Sequence, residues 1–141
     1  MTTLEDIIGF IMGDLDILER GYQNNRAITG DDSPPWHEFA FVIEFFDDNG
    51  DYAGSFGRLF DPSGTSYPMT ANIPNELEKL IQNYERSLRP PSGEVMKRML
   101  IQYNRNTGQV RAEYEYDDET RWDITPANIE EASAALRPVW E

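Results

Sequence analysis

The chain has 141 residues, enough for one domain with a real core, and its 39% hydrophobic content, with seven Phe, seven Tyr and three Trp, argues against intrinsic disorder. It has no cysteine, which excludes disulfides, zinc–thiolate sites and thiol nucleophiles. Its 26 acids against 12 bases give a formal net charge of −14, a surface that repels nucleic acid and anionic membranes and attracts cationic partners at rates that fall with salt.

Leu4, Ile7, Ile8, Ile11, Leu15, Leu18 and Tyr22 recur at three- and four-residue spacing and predict a helix from Thr3 to Tyr22, with Asp6, Asp14, Asp16 and Glu19 on its other side. Gly9 and Gly13 each weaken that helix by roughly 1 kcal/mol relative to Ala, so packing must hold it together and a break near them is open. The run from Gly30 to Pro35 is a loop by composition. Trp36 to Phe46 then reads as a strand with Phe39, Phe41, Ile43 and Phe45 on one face and Ala40, Val42, Glu44 and Phe46 on the other.

Asp47-Asp48-Asn49-Gly50 is a hairpin turn, since Asn-Gly tolerates the positive φ such turns require. Tyr52 to Phe60 returns as the partner strand, and its Gly54 and Gly57 point to a bulge or a close backbone approach. Tyr67 to Ala71 reads as a short strand that Pro68 confines to an edge. Pro74 to Leu88 is a helix with Leu77, Leu80, Ile81, Tyr84 and Leu88 as its apolar stripe.

A second hairpin joins Val95–Asn104 to Gln109–Tyr116 through Arg105-Asn106-Thr107-Gly108. In its second strand Val110, Ala112, Tyr114 and Tyr116 alternate with Arg111, Glu113 and Glu115, which predicts one buried and one wet face. Thr125-Pro126 starts a last helix, Thr125 as cap, with Ile129, Ala132 and Leu136 facing inward. The expected fold is α+β over residues 1–141 as a single domain: an antiparallel sheet of two hairpins, four to five strands, packed against helices that cover one face.

The start, Met1-Thr2-Thr3-Leu4-Glu5-Asp6, carries acids where a signal peptide carries Lys or Arg, and no apolar run approaches the roughly 20 residues of a membrane span. A soluble, cytoplasmic protein is the expectation. The charge is uneven: residues 1–50 carry eleven acids and two bases (−9), residues 51–100 six of each (0), and residues 101–141 nine and four (−5).

A search for catalytic chemistry finds little. The one histidine, His37, reads as a solvated or hydrogen-bonded strand-end residue, because no Ser or Cys in a nucleophile context accompanies it. Gly54-Ser55-Phe56-Gly57 lacks the G-x-S-x-G spacing, and no phosphate-binding loop or dinucleotide fingerprint occurs. Asp47-Asp48-Asn49-Gly50-Asp51 is rich in acids but lacks the alternating ligands of a calcium loop and a glutamate at its twelfth position. No cofactor or metal is expected.

The stretch Glu113 to Asp123 holds six acids against one arginine, with Trp122 alongside. Like charges so close repel, so the cluster costs stability unless a cation or a basic partner neutralises it. Aromatics beside fixed acids are what a site for Lys or Arg contains. The candidate partner-binding residues are therefore Glu113, Glu115, Asp117, Asp118, Glu119 and Asp123, with Asp47, Asp48 and Asp51 of the first turn. Read as structure alone, Tyr116 and Trp122 are core residues and the acids line a solvated edge.

From Leu100-Ile101-Gln102-Tyr103-Asn104-Arg105-Asn106-Thr107-Gly108 through Glu115-Tyr116-Asp117-Asp118, Arg121-Trp122 and Ile124-Thr125-Pro126-Ala127-Asn128 to Leu136-Arg137-Pro138, the sequence resembles the YezG-type immunity protein (antitoxin) family. The match covers the last forty-five or so residues; the first third, with its acidic helix, departs from it. The resemblance implies an α+β protein without enzymatic activity that neutralises a cognate bacterial toxin domain, such toxins often being nucleases, and it assigns no contact residues. A nuclease is basic where it grips phosphates, so an acidic inhibitor is steered to it. Two other readings stand beside this one: an acidic DNA mimic or regulatory binding protein, and a carboxylate- or metal-dependent hydrolase. Homo-oligomerisation through exposed edge strands is also open.

Overall fold

The computed structural model describes residues 3–13, 36–46, 48–69 and 74–138. Helix α1 occupies residues 4–13 of this set, followed by strands β1 (Glu38–Phe45), β2 (Tyr52–Phe60) and β3 (Ser66–Met69), helix α2 (Asn75–Ser87), strands β4 (Arg98–Asn104) and β5 (Val110–Glu115), and helix α3 (Ile129–Ala135). The five strands form one antiparallel sheet in the order β3-β2-β1-β4-β5. The α+β architecture of two hairpins and an edge strand packed against helices is therefore observed.

Thr3 and Asp6 start α1 by a reciprocal cap: the Thr3 N–H donates to Asp6 Oδ2 at 2.9 Å and the Asp6 N–H donates to Thr3 Oγ1 at 3.2 Å. The helix runs unbroken through Gly9 to Gly13. Ile7, Ile8 and Ile11 are buried, as their spacing predicts; Leu15, Leu18 and Tyr22, with the Gly30–Pro35 loop, lie outside the described residues. These isoleucines pack with Leu77 and Ile81 of α2 on Phe39, Phe41, Ile43 and Phe45 of β1 and on Met99 and Ile101 of β4. Each such side chain contributes about 1.5–3 kcal/mol by leaving water.

The expectation that cover lies on one face is corrected. A second cluster of Ala40, Val42, Phe60, Leu100 and Leu136, with Phe56, Trp122 and Ile124 packed on it, buries the opposite face of the same strands. The cause lies in β1, whose Ala40 and Val42 are as apolar as their neighbours; a strand that is apolar on both parities must be covered twice. The C-terminal segment supplies that cover.

The predicted last helix is also corrected at its start. Residues 126–128 form a turn, and α3 begins only at Ile129. The Thr125 N–H and hydroxyl donate to Asn128 Oδ1 at 2.6 and 3.1 Å, so Thr125 closes the turn rather than capping the helix. Ser133 and Leu136 are buried, and Gln102 Nε2 donates to the Leu136 carbonyl at 2.8 Å. The short helix is thus anchored at its C-terminal end, and Ile129 at the other end is left 44% exposed instead of facing inward.

Both hairpins and the edge strand are found, with β1, β4 and β5 shorter than expected and residues 70–71 of the expected edge strand outside the described residues. The expected division of β5 into a buried and a wet face is corrected: Ala112 and Tyr114 are half-buried, and so are Glu113 and Glu115. Glu44 pairs with Gly54 and Phe45 with Tyr52, so Ala53 is bulged out beside the glycine that signalled it. Pro68 lies on β3, at the border of the sheet.

Candidate functional site: the acidic end of the sheet

β1 ends at Phe45, its neighbour β4 begins at Arg98, and Arg98 faces Glu115 at the end of β5. The first hairpin turn, the start of β4 and the loop after Glu115 therefore share one end of the sheet. Strands two places apart lie about 10 Å from each other, so the two predicted acidic segments are near neighbours. Asp48, Asp51, Glu115, Asp117, Asp118, Glu119 and Asp123 gather at this end, and Glu113 sits one pleat back on the same face as Glu115. Asp47 lies outside the described residues.

The premise that these acids await an external cation is corrected for four of them, Glu113, Glu115, Asp123 and Asp51. Arg121 donates from one nitrogen to Glu113 and from the other to Glu115, both at 2.9 Å, and Arg111 reaches Glu113 at 2.7 Å. Arg98, whose side chain is only 9% exposed, pairs with Glu44 at 2.9 Å and Asp123 at 2.6 Å and donates to the Arg121 carbonyl at 2.8 Å. Arg86 pairs with Asp51 at 3.3 Å on the surface. Asp48, Asp117 and Glu119 are exposed and make no ion pair with a described residue.

The loop after β5 is held by its own carboxylates. Glu115 Oε2 accepts the N–H groups of Asp117 and Asp118 at 3.0 and 3.1 Å, and Asp118 Oδ1 accepts the Thr120 N–H at 2.9 Å and its hydroxyl at 2.7 Å. Trp122 has φ 72°, the left-handed region, and is the one non-glycine residue there among those described. Its indole packs on the second core, and the Arg121 guanidinium lies 4.4 Å over its ring. That contact and the packing of the indole on the second core together offset a backbone cost of roughly 1–2 kcal/mol.

The Asp117 N–H, then Arg121, then the Asp118 N–H hold the Glu115 carboxyl below the usual carboxylate range; the Thr120 hydroxyl and N–H do the same for Asp118. A folded-state pKa below the unfolded one stabilises the protein above the unfolded value, and this contribution is lost as pH falls through the folded value. Glu115→Gln is therefore expected to be less stable than the parent at neutral pH, with the gap closing as pH drops below about 4. Urea titrations across that range check it; a gap that stays constant down to strongly acid pH would refute the lowered pKa.

Beside the loop opens a groove of ≈ 400 Å³, lined by Glu44, Phe46, Ala53, Lys97, Glu119 and Thr120 among others. Phe46 is 55% exposed and, with Ile129, one of the two large hydrophobic side chains left exposed among the described residues. Sequence reasoning assigned Phe46 to a strand face and did not single it out. Its position directly before an Asp-rich turn, where no further strand residue can cover it, was the available signal. Arg98 was missed as well, because its partners Glu44 and Asp123 come from distant parts of the chain.

Among the described residues no three His, Asp or Glu side chains converge so as to hold a metal ion, and no helix is long and apolar enough to cross a membrane. Compared with known family models and with characterised proteins, the chain matches none.

Proposed function

We propose that the protein binds a basic protein partner through the acidic end of its sheet and acts in the cytoplasm as an immunity protein that neutralises a cognate toxin domain, most naturally a basic nuclease. The observation that carries the binding half is Phe46, bare in an open groove with Glu119 on its wall and Asp48 in the adjoining turn. An exposed aromatic beside carboxylates that lack a cation within the described chain has the make-up of a binding hot spot: the ring supplies area and the acids select Lys or Arg. The immunity half rests on the resemblance carried by residues 100–138. Most of the acids are structural in this reading, and the contact set narrows to Asp48, Asp117 and Glu119 with Phe46.

A DNA mimic needs an uninterrupted row of carboxylates spaced like phosphates. Arg98, Arg111 and Arg121 interleave with the acids of the second hairpin, which leaves that alternative less support.

The test is co-expression with the product of the adjacent gene. A product that arrests growth alone, is tolerated together with this protein, and co-purifies with it at low salt is the expected result. A harmless product, or a toxicity that co-expression does not relieve, would contradict the proposal.

A further inference from the structure

The two borders of the sheet differ. At β3, the Asp61 N–H donates to the Thr65 carbonyl at 3.0 Å, and counting in twos along the ladder turns the backbone groups of Ser66 and Pro68 outward. Pro68 has no N–H to offer there, so this edge is blunted against further pairing. At β5, the Asn104 N–H donates to the Gln109 carbonyl at 3.0 Å. The same count turns Arg111, Glu113 and Glu115 toward β4 and directs the N–H and C=O groups of Val110, Ala112 and Tyr114 to the open side. No strand of the described residues pairs with them.

We infer that β5 pairs with β5 of a second copy of this chain, antiparallel about a two-fold axis at Ala112, joining the two sheets into one. Outward-turned residues must meet outward-turned residues, which limits the registers. An axis at residue 111 sets Arg111 against Arg111 of the other copy, and an axis at residue 113 sets Glu113 against Glu113. Both place like charges directly opposite, which destabilises a pairing. An axis at residue 112 sets Arg111 opposite Glu113 twice, at the non-hydrogen-bonded positions where facing side chains come closest. On the other face the same register sets Val110 against Tyr114, a β-branched and aromatic pair, and leaves only the small Ala112 on the axis. Arg111 and Glu113 already attract within one chain at 2.7 Å, and the pairing extends that contact into a network across both copies.

Light scattering coupled to size exclusion is expected to give a dimer mass. Ala112→Pro removes an N–H that lies on the open edge and leaves the β4–β5 ladder intact, so it is expected to yield a monomer with an unchanged circular dichroism spectrum. Because the chain has no cysteine, Ala112→Cys is a clean reporter. Hydrogen-bonded partners have Cα and Cβ atoms about 5.5 Å apart, too far for an unstrained disulfide but within the span of a short bifunctional thiol reagent, which should link the two copies. Val110→Cys should not link, since 110 faces 114 and its own copy lies about 14 Å away along the strand. A protein that stays monomeric at about 100 μM, high for a specific dimer, a dimer that persists in folded Ala112→Pro, or equal cross-linking at 110 and 112 would overturn the inference. A strand of some other protein on this edge, with no self-association, would overturn it too. Should Ala112→Pro fail to fold, the two cysteine variants decide.

Discussion

Replacing Arg98 with alanine is expected to cost about 3 kcal/mol and to lower Tm by about 10 °C. The guanidinium is 9% exposed and serves Glu44, Asp123 and the Arg121 carbonyl together, so its loss leaves two carboxylates facing each other and one carbonyl without its donor. It also lies 5.7 Å over the Phe56 ring, so its stem and charge pack on the second core as well. Lysine keeps the charge but cannot fork to three acceptors, which places Arg98→Lys between the parent and Arg98→Ala. Thermal unfolding of the three proteins checks the order. An Arg98→Ala protein as stable as the parent would mean that the acidic loop is held by other contacts.

Glu85→Ala is the second large effect, again about 3 kcal/mol. Glu85 lies on the inward side of α2 with no exposed surface, and Arg89 donates to it from Nε at 3.1 Å and from a terminal nitrogen at 2.8 Å. The same arginine donates to the Asn49 carbonyl at 2.9 Å, which ties the end of α2 to the first hairpin turn. Gly50, at φ +75°, is pressed against this pair: a Cβ there would meet Glu85 Oε1 at 2.6 Å. Removing the carboxylate alone strands the arginine, whereas Glu85→Leu with Arg89→Leu removes both charges together. The double variant is therefore expected to lose much less than the single one. In Glu85→Ala, faster amide exchange at Asn49 and Gly50 should accompany the loss, because the turn is no longer tethered. A double variant that loses as much as the sum of Glu85→Leu and Arg89→Leu would show that the pair is not coupled.

The sheet was legible because its signals are local. Alternation of Phe39, Phe41, Ile43 and Phe45 set the register of β1, Asn49-Gly50 set the first hairpin, and Pro68 marked an edge strand. The acidic end was legible as composition but not as electrostatics. The Glu113–Asp123 stretch shows six acids and one arginine in sequence, yet Arg98 and Arg111 reach it from elsewhere on β4 and β5. The Arg98 contacts depend on strand pairing, which no local pattern reports, whereas Arg111 stands two residues from Glu113 on the same strand face and was legible in the alternation of β5. Glu85 was hidden by its residue type: it stands four residues after Ile81 on the buried side of α2, where an apolar side chain would be expected, and its partner Arg89 and the turn at Asn49 come into view only in the fold. Ile129 was misplaced because helical spacing is silent about where a helix meets the sheet.

The proposed docking of a basic protein rests on Phe46 and on Asp48, Asp117 and Glu119, which make no ion pair with a described residue. The most direct measurement is the Kd of the adjacent gene's product for the parent, Phe46→Ala and Asp48→Lys/Glu119→Lys, each at low and high salt. Phe46→Ala is expected to weaken binding by about 30-fold, the 2 kcal/mol of a hot-spot residue. The charge-reversed protein is expected to bind more weakly at low salt and to lose most of the parent's salt dependence. Binding that is indifferent to salt and unchanged in both variants would contradict the proposed docking.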